Sequence, residues 1–338
     1  MVSSPDALTI LGAGSWGTAL ATHLAKKNQT VFLWGRDDEH IASIKKTNCN
    51  SRYLPGLTLA DNIIPTTDLN FVANRSHKFV IAVPSHAFDS TLVTLRDEVS
   101  LPDETLQFCC GTKGIDATSG KFLDEIFRQI MGPSPLYGVL SGPSFAHEIV
   151  AQLPSALTIA SEKTQVANQF ASWFRIHPIR IYTTTDLVGV QLGGAIKNVV
   201  AIAAGISDGL QLGINARSAL ITRGLAEMVR IGTALGGQIE TFMGLAGIGD
   251  IVLTCTDNQS RNRRLGVGLG EGKSLSEIIK EIDQEAEGIN STQALFDKSI
   301  ALGIELPITE QIYQILFEET SPMTAVQNLL DREPQSEN

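Results

Sequence analysis

The feature that most constrains this chain is a glycine pattern near its start. Residues 9–25 read TILGAGSWGTALATHLA. An apolar run, Leu8–Leu11, leads into Gly12-Ala13-Gly14-Ser15-Trp16-Gly17, and Leu20, His23 and Leu24 then recur at helical spacing. A strand, a tight glycine turn and a helix form the context in which Gly-x-Gly-x-x-Gly holds a dinucleotide. Gly12 permits the turn, Gly14 lets the backbone approach a pyrophosphate, and Gly17 lets the helix pack against the strand. The free N–H groups and positive dipole end of the helix would face the phosphates. A glycine turn without a ligand is the alternative, and the rest of the chain has to decide between them.

Short apolar runs follow at 30–34, 79–83, 106–110, 136–140, Ser155–Ala160 and 179–182. Each reads as a buried strand. Helical patterns lie between them, at Asp38–Thr47, around Leu92, Leu95 and Val99, and at Thr164–Phe174; residues 48–59 read as a loop. This alternation predicts an α/β fold, a doubly wound, mainly parallel sheet of Rossmann type. In such sheets ligands sit at the C-terminal strand ends, where the Gly, Ser and Lys loops of this chain fall. After about Asp186 the strand runs stop, and 195–206, 216–235 and 300–317 carry helical periodicity. The expected organisation is a dinucleotide-binding domain over 1–184 and an all-helical, substrate-binding domain over 185–338. The length of 338 residues agrees with two domains at ~150 residues each.

The formal net charge of −10 argues against nonspecific binding to nucleic acid or an anionic membrane. A local cationic pocket can still take an anionic substrate. Cys49, Cys109, Cys110 and Cys255 form no C-x-x-C pair, which predicts reduced thiols in a cytoplasmic protein without a metal site. The start lacks the basic region of a signal peptide, and no apolar run is expected to reach the ~20 residues that span a bilayer.

Lys197 is the most informative single residue. It sits in LGGAIKNVVAIAAG, an apolar helix that should be buried, with Asn198 beside it. A desolvated lysine suits proton transfer, whereas one at the helix edge would reach solvent. Asp250 and Thr254, in GIGDIVLTCT, share one helical face if that segment is helical. They would orient a lysine or a substrate hydroxyl; alternatively Asp250 caps a helix. Ser260-Arg261-Asn262-Arg263-Arg264 is a basic patch in an acidic protein, and an arginine fork suits phosphate. Arg263 and Arg264 equally fit an exposed helix face. Lys113, in GTKG, is a cation placed by glycines at a strand end. Arg36, ~20 residues beyond the glycines, suits a 2′-phosphate, while Asp37 after it leaves the choice of dinucleotide open.

GAGSWGTALA, AVPSHA, GTKG, SGPSFAHE, GAIKNVVAIAAGISDGL, GLAGIGDIVLTCT and SRNRRLG occur in this order. On these motifs the chain closely resembles the soluble bacterial type of NAD(P)-dependent glycerol-3-phosphate dehydrogenase, from Leu8 to about Leu330. The resemblance implies reversible reduction of dihydroxyacetone phosphate to sn-glycerol 3-phosphate, supplying glycerophospholipid synthesis, with NADP(H) or NAD(H). It implies Lys197 as the proton donor and acceptor. It implies a substrate site of Lys113, Gly142, Ser144, Lys197, Asp250, Ser260, Arg261 and Asn262. Cofactor contacts would come from Ser15, Trp16, Arg36, Lys113, Ala146, Arg261 and Glu287, beside the turn of Gly12, Gly14 and Gly17. A small-molecule substrate, no nucleic acid, no membrane insertion and a homodimer are the partner expectations. Two rivals share parts of this plan. One is a 2-hydroxy-acid or 6-phosphogluconate type of dehydrogenase, against which GIGD and SRN speak. The other is a dinucleotide sensor without catalysis, which leaves Lys113, Lys197, Asp250 and Arg261 unexplained.

Overall fold

The computed structural model describes residues 7–100 and 102–333. The opening residues, which enter the signal-peptide expectation, lie outside the described ones. The chain forms two compact units. One comprises the chain up to Lys113 together with Phe122–Gln191; the other comprises Gly114–Lys121 and the chain from Leu192 onward.

The first unit is built on an eight-stranded sheet. Its strands are β1 (Leu8–Leu11), β2 (Val31–Trp34), β3 (Ile63–Thr66), β4 (Lys78–Ile81), β5 (Gln107–Cys110), β6 (Leu136–Ser141), β7 (Ser155–Ala160) and β8 (Ile179–Thr184). They lie in the order β3-β2-β1-β4-β5-β6-β7-β8. Neighbours are parallel throughout except β6 and β7. Leu8 is in register with Val31 on one side and Lys78 on the other. Strand order therefore reverses at β1, and the ends of β1 and β4 flank the switch point where such sheets bind ligands. Every residue of β1 and β2 is buried, as expected of strands covered on both faces.

The helices of this unit are α1 (Ser15–Ala25), α2 (Asp38–Thr47), α3 (Leu69–Ala73), α4 (Phe88–Glu98), α5 (Leu123–Met131), α6 (Ala146–Val150) and α7 (Thr164–Phe174). Helix α1 packs with α6 and α7, while α3, α4 and α5 form a second group. His23 is a core residue. Its Nε2 lies 2.9 Å from the Phe174 carbonyl, and burial pushes its pKa down. The strand β3 escapes the sequence reading. It contains Pro65 and lies at the sheet edge, where a missing N–H is tolerated.

The second unit is helical. Helix α8 (Leu187–Gly209) enters it at Leu192, so the unit boundary falls inside a helix. It is followed by α9 (Gly213–Ala234), α10 (Ile239–Phe242), a π-helical turn at Leu245–Gly249 and α11 (Asp250–Thr256). Then come α12 (Arg261–Gly270), α13 (Leu275–Ile282), α14 (Gly288–Leu302), α15 (Pro307–Phe317) and α16 (Pro322–Leu330). The stretch 300–317 is not one helix, as its periodicity suggests. Gly303 ends α14 at φ +64°, the Ile304 N–H bonds back to the Ser299 carbonyl at 2.9 Å, and Pro307 starts α15.

Helices α8 and α12 meet backbone to backbone. A Cβ on Gly205 would overlap the Arg263 carbonyl oxygen, and one on Gly266 would overlap that of Ile202. Gly209 and Gly270 make the same kind of approach to Val267 and Ile206. Ile202 faces Gly266 and Ile206 faces Gly270, so the two helices run in the same direction.

The membrane expectation needs one correction. The 23-residue helix α8 and the stretch Ile239–Thr256 are long and apolar enough to cross a bilayer. Most of the apolar window of α8, 89%, is buried inside the protein, and this is how a core helix acquires such a composition.

Candidate active site

The glycine turn is built as its spacing predicts. Gly12 ends β1 at φ +119°, and a Cβ there would stand 2.7 Å from the Ala82 carbonyl at the end of β4. A Cβ on Gly17 would overlap the Gly12 carbonyl oxygen, so the helix is seated directly on the turn. Gly14 differs: nothing lies within 4 Å of where its Cβ would be. The first turn of α1 has no side-chain cap. Open space beside uncapped amides of Ser15, Trp16 and Gly17 fits the pyrophosphate of a dinucleotide. The Trp16 indole N–H donates to the Gly111 carbonyl at 3.1 Å, which pins α1 to the end of β5.

At the end of β2, Asp37 is committed to the next helix. It caps α2 by accepting from the His40 N–H at 3.0 Å and stands 3.7 Å from Arg52. Arg36 is exposed beside it. The Asp37 carboxylate therefore has a structural task at the start of α2.

The loops after β5 and β6 converge. Thr112 Oγ1 donates to the Val83 carbonyl at 2.7 Å and so fixes the GTKG loop. Lys113 Nζ donates to the Gly142 carbonyl at 3.0 Å, and Ser144 Oγ donates to the same oxygen at 3.1 Å. Gly142 takes φ +119°, a region that favours glycine. Ala146 is the first residue of α6. Lys113, Gly142 and Ser144, far apart in sequence, thus form one cluster within the first unit.

In the second unit Lys197 Nζ lies 2.9 Å from Asp250 Oδ1 and 3.1 Å from Thr254 Oγ1. The lysine side chain is 11% exposed and that of Asp250 1%. Helix α11 places Asp250 and Thr254 one turn apart, and Thr254 Oγ1 donates to the Asp250 carbonyl. Close approach brings this helix to the lysine, because a Cβ on Gly193 of α8 would overlap the Ala246 carbonyl in the π-helical turn. Such turns insert one extra residue and rotate the helix beyond them. Asp250 is therefore the lysine's partner, and the helix cap falls to Gly249.

Ser260 caps α12, accepting from the Arg263 N–H at 3.1 Å. Both polar atoms of the Asn262 side chain have a partner. It donates to Asn198 Oδ1 at 2.9 Å and accepts from the Gly288 N–H at 2.9 Å. Asn262 thus joins the residue beside Lys197 to the start of α14, next to Glu287. Arg264 is exposed, but Arg263 is buried and not part of an outer helix face. Its guanidinium donates to Asn258 and Asp208. Asp208 and Arg217 are polar residues that the sequence reading missed. One signal was available for Asp208: it follows Lys197 by eleven residues, just over three full turns at ~3.6 residues per turn, and so shares its helix face.

A glycine-turn sheet in one unit and a buried lysine–carboxylate pair in a helical unit define the class of dinucleotide-dependent dehydrogenases. The comparisons narrow it. Residues 7–167 match the family model of the NAD-dependent glycerol-3-phosphate dehydrogenase N-terminus, and 186–327 match that of its C-terminus. A glycerol-3-phosphate dehydrogenase [NAD(P)+] of Thioalkalivibrio sulfidiphilus is 47% identical over 334 residues, 99% of each chain. One of Methylococcus capsulatus is 49% identical over 331 residues, 98% of each. The crystal structure of glycerol-3-phosphate dehydrogenase from Coxiella burnetii superposes with a TM-score of 0.93 at 42% identity, covering 97% of this chain and 99% of that one. The chain belongs to the NAD-dependent glycerol-3-phosphate dehydrogenase family.

Proposed function

We propose that this chain reduces dihydroxyacetone phosphate to sn-glycerol 3-phosphate, reversibly, with Lys197 moving the proton. The observation that carries the reading is the contact of Lys197 with Asp250 and Thr254 inside an apolar helix. A buried ammonium without a task would be costly, and this one is held by a carboxylate and a hydroxyl. Bound nicotinamide dinucleotide supplies the hydride; NADP(H) and NAD(H) both fit the family.

As negative charge builds on the substrate carbonyl oxygen, Lys197 gives it a proton. Asp250 and Thr254 take two of the three N–H directions of the ammonium and so aim the third. Lys113 adds positive charge, with Gly142 and Ser144 shaping its loop. Ser260, Arg261 and Asn262 form the phosphate anchor, Arg261 through its fork. The turn of Gly12, Gly14 and Gly17 holds the pyrophosphate through the amides of Ser15 and Trp16. Arg36 pairs with a 2′-phosphate, and Ala146, Arg261 and Glu287 complete the cofactor contacts. The first unit serves as the dinucleotide-binding domain and the second as the substrate domain. The product is the backbone of glycerophospholipids, so the proposed role is their supply in the cytoplasm.

The test is the absorbance of reduced nicotinamide with dihydroxyacetone phosphate, beside 6-phosphogluconate in the oxidative direction and a control without substrate. Oxidation with dihydroxyacetone phosphate alone is expected. Turnover only with 6-phosphogluconate, or none in folded protein, overturns the assignment.

A further inference from the structure

We propose that Arg263 is a positioning residue for the substrate phosphate, acting through the turn that carries Ser260 and Arg261. The inference rests on the reading of Ser260, Arg261 and Asn262 as the phosphate anchor.

The segment between α11 and α12 has little regular structure of its own, yet it must hold the anchor in one place. Arg263 ties that segment together from both sides. Its backbone N–H bonds Ser260 Oγ at 3.1 Å, while its Nη1 bonds Asn258, two residues earlier. Its Nη2 bonds Asp208, near the end of α8. Asp208 is itself held by Arg217, whose Nη1 donates to Oδ1 at 3.1 Å and to Oδ2 at 2.9 Å. Side-chain exposure is 11% for Arg263, 17% for Asp208 and 22% for Arg217. The turn is thereby fastened to the same helix that carries Lys197, so phosphate anchor and proton donor share one frame.

Two further observations separate this from an ordinary structural ion pair. An ion pair needs one cation, but two arginines here meet one carboxylate. The cluster carries a surplus positive charge, two residues from Arg261, which favours a nearby dianion. Also, the fork of Arg263 serves two acceptors on different segments, Asn258 and Asp208. An ammonium keeps the charge but lacks the planar fork that reaches both in fixed geometry.

The experiment compares Arg263→Met, Arg263→Lys and Arg261→Ala with the unaltered enzyme. Each is assayed with dihydroxyacetone phosphate, with unphosphorylated dihydroxyacetone and for the KM of NADPH; circular dichroism and melting verify folding. Arg263→Met should raise the KM for dihydroxyacetone phosphate about 10-fold or more, the scale of one charge-assisted contact. Its kcat/KM for dihydroxyacetone and its KM for NADPH should stay within about twofold, as one misplaced phosphate contact would leave them. Arg263→Lys should recover part of the loss, and it carries the test if Arg263→Met does not fold. Equal proportional losses on both substrates overturn the proposal, as does an unchanged KM for dihydroxyacetone phosphate. If Arg261→Ala is selective for the phosphorylated substrate and the Arg263 variants are not, only the role of Arg263 falls. If none of them is selective, the phosphate anchor falls with it.

Discussion

Lys197 and Asp250 are each other's charge partner, 2.9 Å apart, with the carboxylate 1% exposed. Removing either one takes an opposite charge from beside the other. Breaking a buried pair from one side typically costs ~3–5 kcal/mol, whereas replacing both partners costs far less. Lys197→Met and Asp250→Asn should each lower stability, and the double variant should regain much of the loss. Thermal and denaturant unfolding of the four proteins measure this; additive losses would mean that the pair is not coupled. Turnover follows a different rule. Lys197→Met should cost ~10²–10⁴-fold in kcat while NADPH still binds by fluorescence, and Asp250→Asn should cost less.

Arg36 stands exposed at the end of β2, with Asp37 committed to capping α2. Arg36→Ala should raise the KM for NADPH about 10–150-fold, the equivalent of a charge-assisted bond of ~1.5–3 kcal/mol. The KM for NADH should hardly move. Equal losses for both dinucleotides would assign Arg36 to another phosphate or to structure.

Arg261 opens α12 directly after the Ser260 cap. Arg261→Ala should weaken dihydroxyacetone phosphate far more than unphosphorylated dihydroxyacetone in steady-state assays. A parallel fall for both substrates would place its role with the cofactor.

Glu227 gives the fold a pH dependence distant in kind from catalysis. It accepts from the backbone N–H of Ile308 and, at 3.2 Å, of Thr309, clamping the start of α15. Burial lifts its carboxyl from 4.5 to about 7, against the pull of those amides. The folded state therefore binds a proton that the unfolded chain has released. The associated stability is fully present below about pH 4.5 and is lost as pH rises through about 7, on the order of 3 kcal/mol in all. The stability of the natural chain relative to Glu227→Gln should fall over that window and level off above it. Parallel melting curves from pH 5 to pH 8 would exclude this.

The features legible in advance came from local rules. Gly12, Gly14 and Gly17 carry their conformational meaning in their spacing, and the apolar setting of Lys197 announces a buried cation. Asp250 and Thr254 share a face by helical geometry alone. The β3 strand was hidden because Pro65 cuts its apolar run to two residues. The break at Gly303 was hidden because hydrophobic periodicity continues across it into α15. Arg263 looked like one more solvated cation, since nothing in SRNRRLG records an acid fifty-five residues earlier. Pairing across that separation is set by how α8 and α12 pack, which no local pattern encodes.

The glycine contact between those two helices sets a floor. Where Gly205 and Gly266 meet main chain, no side chain stands between α8 and α12. Lys197 rides on one of them and Arg261 starts the other, so substitution at these glycines can alter the distance between them in one direction only. Any side chain at these glycines would lengthen it, and none could shorten it. A catalyst for a shorter phosphorylated substrate could not be made from this chain by trimming residues at that contact, because there is nothing left to trim.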